Sequence, residues 1–132
     1  MMRYAPLIIV LFVGCTGIVA QRDLSAMLTS GKWIKDLGSG PEHEEYVYTF
    51  AKDGTYTSKL ITDHGTPTIK GRWELVEDKA GKVHLQLSDQ VGQDKYYWLG
   101  QDSVIRYDKG NDELFVSGER YVGEQRLRHE KL

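Results

Sequence analysis

At 132 residues the chain has room for one domain, and a hydrophobic share of 40% is enough to build a core. Seventeen Lys and Arg against nineteen Asp and Glu leave a net charge of -2, which removes the electrostatic basis for nucleic-acid binding. A single cysteine excludes an internal disulfide and any zinc site built from cysteines. Fourteen Gly, three Pro and eight Tyr favour a turn-rich β protein over a helical bundle.

Residues 1–20 read as an export signal. Arg3 is the only charge among them, and an apolar run follows from Leu7 to Val13. That run is too short for a bilayer, which needs about 20 apolar residues. Two processing sites stay open. Leu11-Phe12-Val13-Gly14-Cys15 resembles a bacterial lipobox, which implies a lipid on Cys15. Alternatively, a leader peptidase cuts after Ala20 and leaves Gln21 first. The expectation is a periplasmic or cell-envelope protein, touching membrane only through a lipid anchor at Cys15, or soluble if cut after Ala20.

Beyond the signal, Asp23 stands as an N-cap for a helical turn reaching Leu28. Short segments of period-2 alternation then recur. Lys32–Lys35 surrounds Trp33, and Glu45–Phe50 places Tyr46, Tyr48 and Phe50 on one face. Ala51-Lys52-Asp53-Gly54 predicts a hairpin turn with Gly54 in a left-handed conformation. Thr55–Ile61 follows, broken by Asp63-His64-Gly65-Thr66-Pro67. Ile69, Gly71, Trp73 and Leu75 share the next face, with Lys70, Arg72 and Glu74 opposite. After a turn over Asp78–Lys82, Val83, Leu85 and Leu87 alternate with His84 and Gln86. Tyr96–Leu99, Ser103–Tyr107, Glu113–Ser117 and Gln125–Lys131 complete the series, with Asp108–Asp112 as a turn.

Such spacing predicts an all-β domain over residues 21–132: an antiparallel up-and-down meander of eight to nine strands closing into a small barrel. Closure removes the two edge strands that a long meander would expose. A β-sandwich is the alternative.

Gly31-Lys32-Trp33, after a helical turn and at the start of the first strand, resembles the Gly-x-Trp signature of lipocalins and fatty-acid-binding proteins. Tyr48-Thr49-Phe50, Asp53-Gly54-Thr55-Tyr56 and Gly71-Arg72-Trp73 are similar to runs in small bacterial lipocalin-like domains. The resemblance implies a calycin-type barrel in which Trp33 plugs one end. It also implies an arginine of the last strand over that ring, here Arg126 or Arg128. The glycine of Gly71-Arg72-Trp73 is expected to let a neighbouring ring or backbone approach closely.

The chemistry-bearing residues are few. His43, His64, His84 and His129 show no converging spacing, so solvated histidines and no metal are expected. Asp108-Lys109-Gly110-Asn111-Asp112-Glu113 lacks the calcium-loop spacing and reads as a hairpin turn. No nucleophile elbow or phosphate loop is present, which points to no catalytic residue, no cofactor and no enzyme. The functional expectation is an exported binding module holding a small apolar or amphipathic molecule at the open end of its barrel. Tyr48, Tyr56, Trp73 and Tyr97 are the expected lining. The alternative is an envelope protein-interaction or inhibitor module acting through Gln21–Ser30 or the barrel rim. Small lipid-tethered barrels that this chain resembles include periplasmic protease inhibitors.

Overall fold

A computed structural model describes residues 23–38, 44–92 and 98–131. A helix, α1, covers residues 23–28 among the described residues, and Asp23 lies within it, not ahead of it as a cap. Eight strands follow: β1 (Gly31–Asp36), β2 (Glu45–Phe50), β3 (Thr55–Ile61), β4 (Thr68–Glu77), β5 (Val83–Gly92), β6 (Asp102–Asp108), β7 (Glu113–Ser117) and β8 (Gln125–Lys131). Each pairs antiparallel with the next, and β8 returns to β1, so the sheet is a closed barrel without a free edge. The sandwich alternative is excluded.

The connections divide the barrel into two unlike ends. Turns β2–β3, β4–β5 and β6–β7 have four or five residues and lie at the end where β1 begins, beside α1. Connections β1–β2, β3–β4, β5–β6 and β7–β8 have six to nine residues and lie at the other end. The short turns carry the residues that tight geometry demands. Gly54 sits at φ 91°, and Asp53 Oδ1 accepts bonds from the Thr55 amide and hydroxyl. The Asp78 carboxylate collects the amides of Ala80 and Lys82 in the same manner.

Alternation decides what faces inward. Directly paired residues share a face, so Trp33, Tyr48, Ser58 and Ile69 form one inward row across β1 to β4. Leu85, Leu114, Val116 and Leu127 bring the opposite wall into the same core and are fully buried. Leu24 and Leu28 of α1 join that core from the closed end. The barrel is narrow enough that side chains from facing strands meet. Tyr48, Phe50 and Tyr56 stack in series at 6.4 and 6.0 Å, and Trp73 meets Phe50 edge-on at 5.6 Å.

Gly71 behaves as the sequence implies. A Cβ there would stand 2.7 Å from both Tyr56 Cε1 and Ser88 O, so only glycine lets the Tyr56 ring lie across β4. Two strand assignments change. β5 runs on to Gly92 instead of ending at Leu87. Of the expected strand Tyr96–Leu99, Tyr96 and Tyr97 lie outside the described residues, and Trp98 and Leu99 belong to the β5–β6 connection. Their apolar character is used there differently, as anchors of a loop on the barrel interior.

Candidate functional site

At the closed end Trp33 is entirely buried and its indole Nε1 donates to the Leu28 carbonyl at 3.2 Å, tying α1 to β1. The ring over it is His129, parallel within 8° and 4.2 Å between centroids, with Tyr107 edge-on at 6.2 Å. The arginine expected in this place is a histidine. Arg126 lies outside the barrel, 5.9 Å from the Phe115 ring centroid and 3.8 Å from Glu113. Arg128 is also outside, bound to Asp36 at 2.9 Å and reaching Glu45 at 3.5 Å. Strand parity is the cause: residue 129 pairs with Trp33, while 126 and 128 fall on the other face.

His129 is therefore not solvated, with a side chain 1% exposed. Its Nδ1 lies 2.9 Å from Asp112 Oδ1, and its Nε2 lies 3.1 Å from Ser30 Oγ. Ser30 Oγ donates to the Met27 carbonyl at 2.6 Å. That commits the hydroxyl proton away from His129, so this Ser–His–Asp row clasps the helix end and the β6–β7 turn and is not poised as a nucleophile–base pair. Tyr107 donates to Asp112 Oδ1 at 2.5 Å. This bond, with burial second, lifts the Tyr107 phenol to about 12. The same bond, and then His129, holds the Asp112 carboxyl below its usual range. Gly31 makes room for the arrangement, because a Cβ there would come 2.4 Å from the Glu130 carbonyl and 2.9 Å from His129 Nε2.

Three of the four expected lining residues are among the described residues, and they do not gather at the long-loop end. Tyr48 is 1% exposed in mid-barrel, its hydroxyl accepts the Leu99 amide at 3.0 Å, and burial pushes its phenol far above the ordinary range. Tyr56 is equally buried and accepts from Gln90 Nε2 at 2.9 Å. Trp73 is half-buried near the closed end, donating to the Ala51 carbonyl at 2.9 Å. These are core residues. Tyr97, Cys15, His43 and the whole of residues 1–20 lie outside the described residues.

The half-buried polar and aromatic groups gather instead at the long-loop end. Lys35 shares the inward face of β1 with Trp33, and its register partner is Tyr46. Its ammonium lies 3.2 Å from Gln125 Oε1 and 5.4 Å from the centroid of the Trp98 ring. Trp98 in turn contacts Tyr121 at 5.4 Å and Tyr48 at 6.4 Å. The Tyr121 hydroxyl accepts the Gly100 amide at 2.9 Å and meets Ser103 Oγ at 2.8 Å, which fixes the β5–β6 and β7–β8 connections to each other. Gln125 Nε2 donates to the Val122 carbonyl at 2.7 Å, so its oxygen is turned toward Lys35. Lys35, Tyr46, Trp98, Tyr121 and Gln125 thus border a mouth at this end, all half-buried, and exposed Arg120 stands beside them, its Nε donating to the Trp98 carbonyl at 3.1 Å.

Two further features lie on the outer wall. His84 faces outward as its alternation implies, but it is held on both ring nitrogens, by Asp78 and Asp102, each at 2.8 Å. Those two bonds, Asp78 first, raise its pKa above the ordinary histidine value. A groove of about 920 Å³ runs between α1 and the β5–β7 wall, lined by Leu24, Met27, Val104 and Phe115 with Lys82 and Lys109 at its edges. Among the described residues no group of three or more His, Cys, Asp or Glu is placed to hold a metal ion. Neither a protein-family model nor a curated protein matches this chain.

Proposed function

We propose that the chain is an exported, non-enzymatic binding module that holds one small amphipathic molecule at the open end of a lipocalin-like barrel. The observation that carries the reading is the asymmetry of the interior. Rings touch in series through Tyr46, Tyr48, Phe50 and Tyr56, and from Tyr48 to Trp98, but their burial is unequal: Tyr48, Phe50 and Tyr56 are buried, whereas Lys35, Tyr46, Trp98 and Gln125, at the end of the longer connections, are only half-buried. Ligand sites combine apolar walls with a few oriented polar groups and sit in the mouths of barrels, and loops on a rigid scaffold supply them. The mouth has both ingredients. An eight-stranded barrel with so full a core holds one small ligand at most.

Export is supported by Arg3, the apolar run Leu7–Val13 and the lipobox-like sequence ending at Cys15. Native mass spectrometry of the protein purified from its own cell tests both parts. A small-molecule adduct lost in Trp98→Ala is expected, together with a mass that reports cleavage before Cys15 or after Ala20. A bare mass from gentle conditions, or an adduct unchanged in Trp98→Ala, sinks the mouth as the binding site.

The groove beside α1 favours a second reading, an envelope interaction module working from its N-terminal side. Deleting residues 21–30 would strip Leu24 and Leu28 from the core. Charge reversal at exposed Lys82 and Lys109 is therefore the cleaner test. Loss of protein partners in that variant, with no adduct on the wild type, would replace the first reading by the second.

A further inference from the structure

The charged groups of this barrel are treated unequally. On β6 and β8 every arginine has found a carboxylate: Arg106 with Glu124 at 2.7 Å, Arg126 with Glu113 and Arg128 with Asp36. All three stand on the outer wall. Lys35, the cation on the inner face at the mouth, has a neutral amide oxygen and an aromatic face, and no carboxylate within 4.0 Å among the described residues. An ammonium carries three donors, and Gln125 Oε1 takes one of them. Gln125 cannot turn to offer more, since its amide nitrogen is engaged by Val122. Half-burial reduces what water returns to such a charge, and the low local dielectric strengthens whatever anion reaches it.

The groups around the ammonium limit what that anion carries. Tyr46 stands beside Lys35 on β2, and Trp98 lies over it with Tyr121 behind. The Tyr121 hydroxyl is already bonded to Gly100 and Ser103, so the surface it adds is its ring. The mouth therefore sets the rings of Tyr46, Trp98 and Tyr121 around an inward ammonium that no described carboxylate neutralises, with Arg120 exposed outside them and donating to the Trp98 carbonyl at 3.1 Å. Flat faces receive a planar ring, and a lone ammonium receives a single anionic group in a charge-assisted bond.

Resting on the binding-module reading, we propose that the ligand is a small aromatic anion, a planar ring system bearing one carboxylate or sulfonate, with its acid group on Lys35 and its ring against Trp98 and Tyr46.

Two fluorescent probes that differ by one group test this: 1-anilinonaphthalene-8-sulfonate and its uncharged counterpart N-phenyl-1-naphthylamine. Fluorescence titration of the full mature protein is expected to show the sulfonate bound at least about tenfold more tightly than the neutral probe. Lys35→Met should remove that preference and leave neutral-probe affinity within about twofold, and Lys35→Arg should restore it. Lys82→Met, at the groove on the outer wall, should leave both affinities unchanged. Should Lys35→Met fail to fold, Lys35→Gln and the wild-type preference alone carry the reading. Equal affinity of the two probes for the wild type overturns the anionic class while leaving a binding module standing. A sulfonate preference that survives in Lys35→Met, or that vanishes in Lys82→Met, overturns the assignment to Lys35. Failure of the wild type to bind either probe brings down the binding-module reading itself.

Discussion

Trp33 and Lys35 sit two residues apart on the same face of the same strand and meet opposite ends of one barrel. Around Trp33 every polar group is matched. Its indole bonds Leu28, His129 spans Asp112 and Ser30, and Tyr107 closes on Asp112. Around Lys35 the groups are half-buried and its charge is unanswered. The difference follows the connections. Four- and five-residue turns bring strand ends close enough for side chains to lock across them, while at the other end the connections run to six to nine residues. One end is built for closure and the other keeps groups in reserve, which is the division of labour between scaffold and loop.

The comparison breaks most visibly if Trp33 is removed. Trp33→Ala takes out the largest fully buried side chain and the stacking surface of His129. A loss of about 3–5 kcal/mol is expected in urea unfolding. A loss below about 1 kcal/mol would mean that the closed end does not hold the barrel together.

His129→Ala comes next. It deletes a parallel ring contact and leaves Asp112 and Ser30 without their shared partner. Roughly 2–3 kcal/mol should be lost, the buried ring and its stacking contact supplying most of it and the bond to the partly exposed Asp112 the rest. Arg126→Ala and Arg128→Ala, on exposed pairs, should each cost under about 1 kcal/mol. An arginine variant costing more than His129→Ala would restore the plug that the sequence resemblance implies.

That contrast marks what was legible in the sequence. Alternation alone yields the strands, because Tyr46, Tyr48 and Phe50 or Val83, Leu85 and Leu87 announce a buried face without reference to any partner. The signal for His129 was present too. In Gln125–Lys131 it shares parity with Leu127, so the flanking arginines could not also face inward. Which residue covers Trp33 depends on β8 closing onto β1, a pairing between the two extremes of the domain that no local pattern states. The mouth was less legible. An aromatic run such as Tyr96-Tyr97-Trp98 looks like a strand, and only the tertiary arrangement reveals that Trp98 anchors a connection. For the same reason Tyr48 and Tyr56, apt ligand groups by type, are core groups by position.

The outer wall offers a smaller effect with a clear sign. His84 is clasped by Asp78 and Asp102, and its folded pKa is raised above the ordinary 6.5. Such a group adds stability that is fully present below the unfolded value and is lost as pH rises through the folded one. Asp78, held below its usual range chiefly by His84, adds stability that disappears only as pH falls through that lowered value. The clasp is thus complete in mildly acidic solution. His84→Gln should be less stable than the wild type by under about 1 kcal/mol at pH 5.5, and the gap should close toward pH 9. Urea midpoints at both pH values measure it; a gap that does not change with pH rules the clasp out as the cause.

Smallest of all should be the effect of Lys35→Met on stability, and its smallness is the point. If Lys35 were a structural member of the barrel, as Trp33 is, losing it would cost as much as losing a closed-end group. The mouth geometry argues otherwise. The substitution removes one bond to a neutral amide and a cation–aromatic contact at 5.4 Å, and it replaces them with an unbranched apolar side chain against Trp98 and Tyr46. The lost terms are small, and relief from half-burying an unanswered charge offsets them. A change within about ±0.5 kcal/mol is expected in the same urea experiment. A loss above about 2 kcal/mol would make Lys35 part of the scaffold and erase the difference between the two ends.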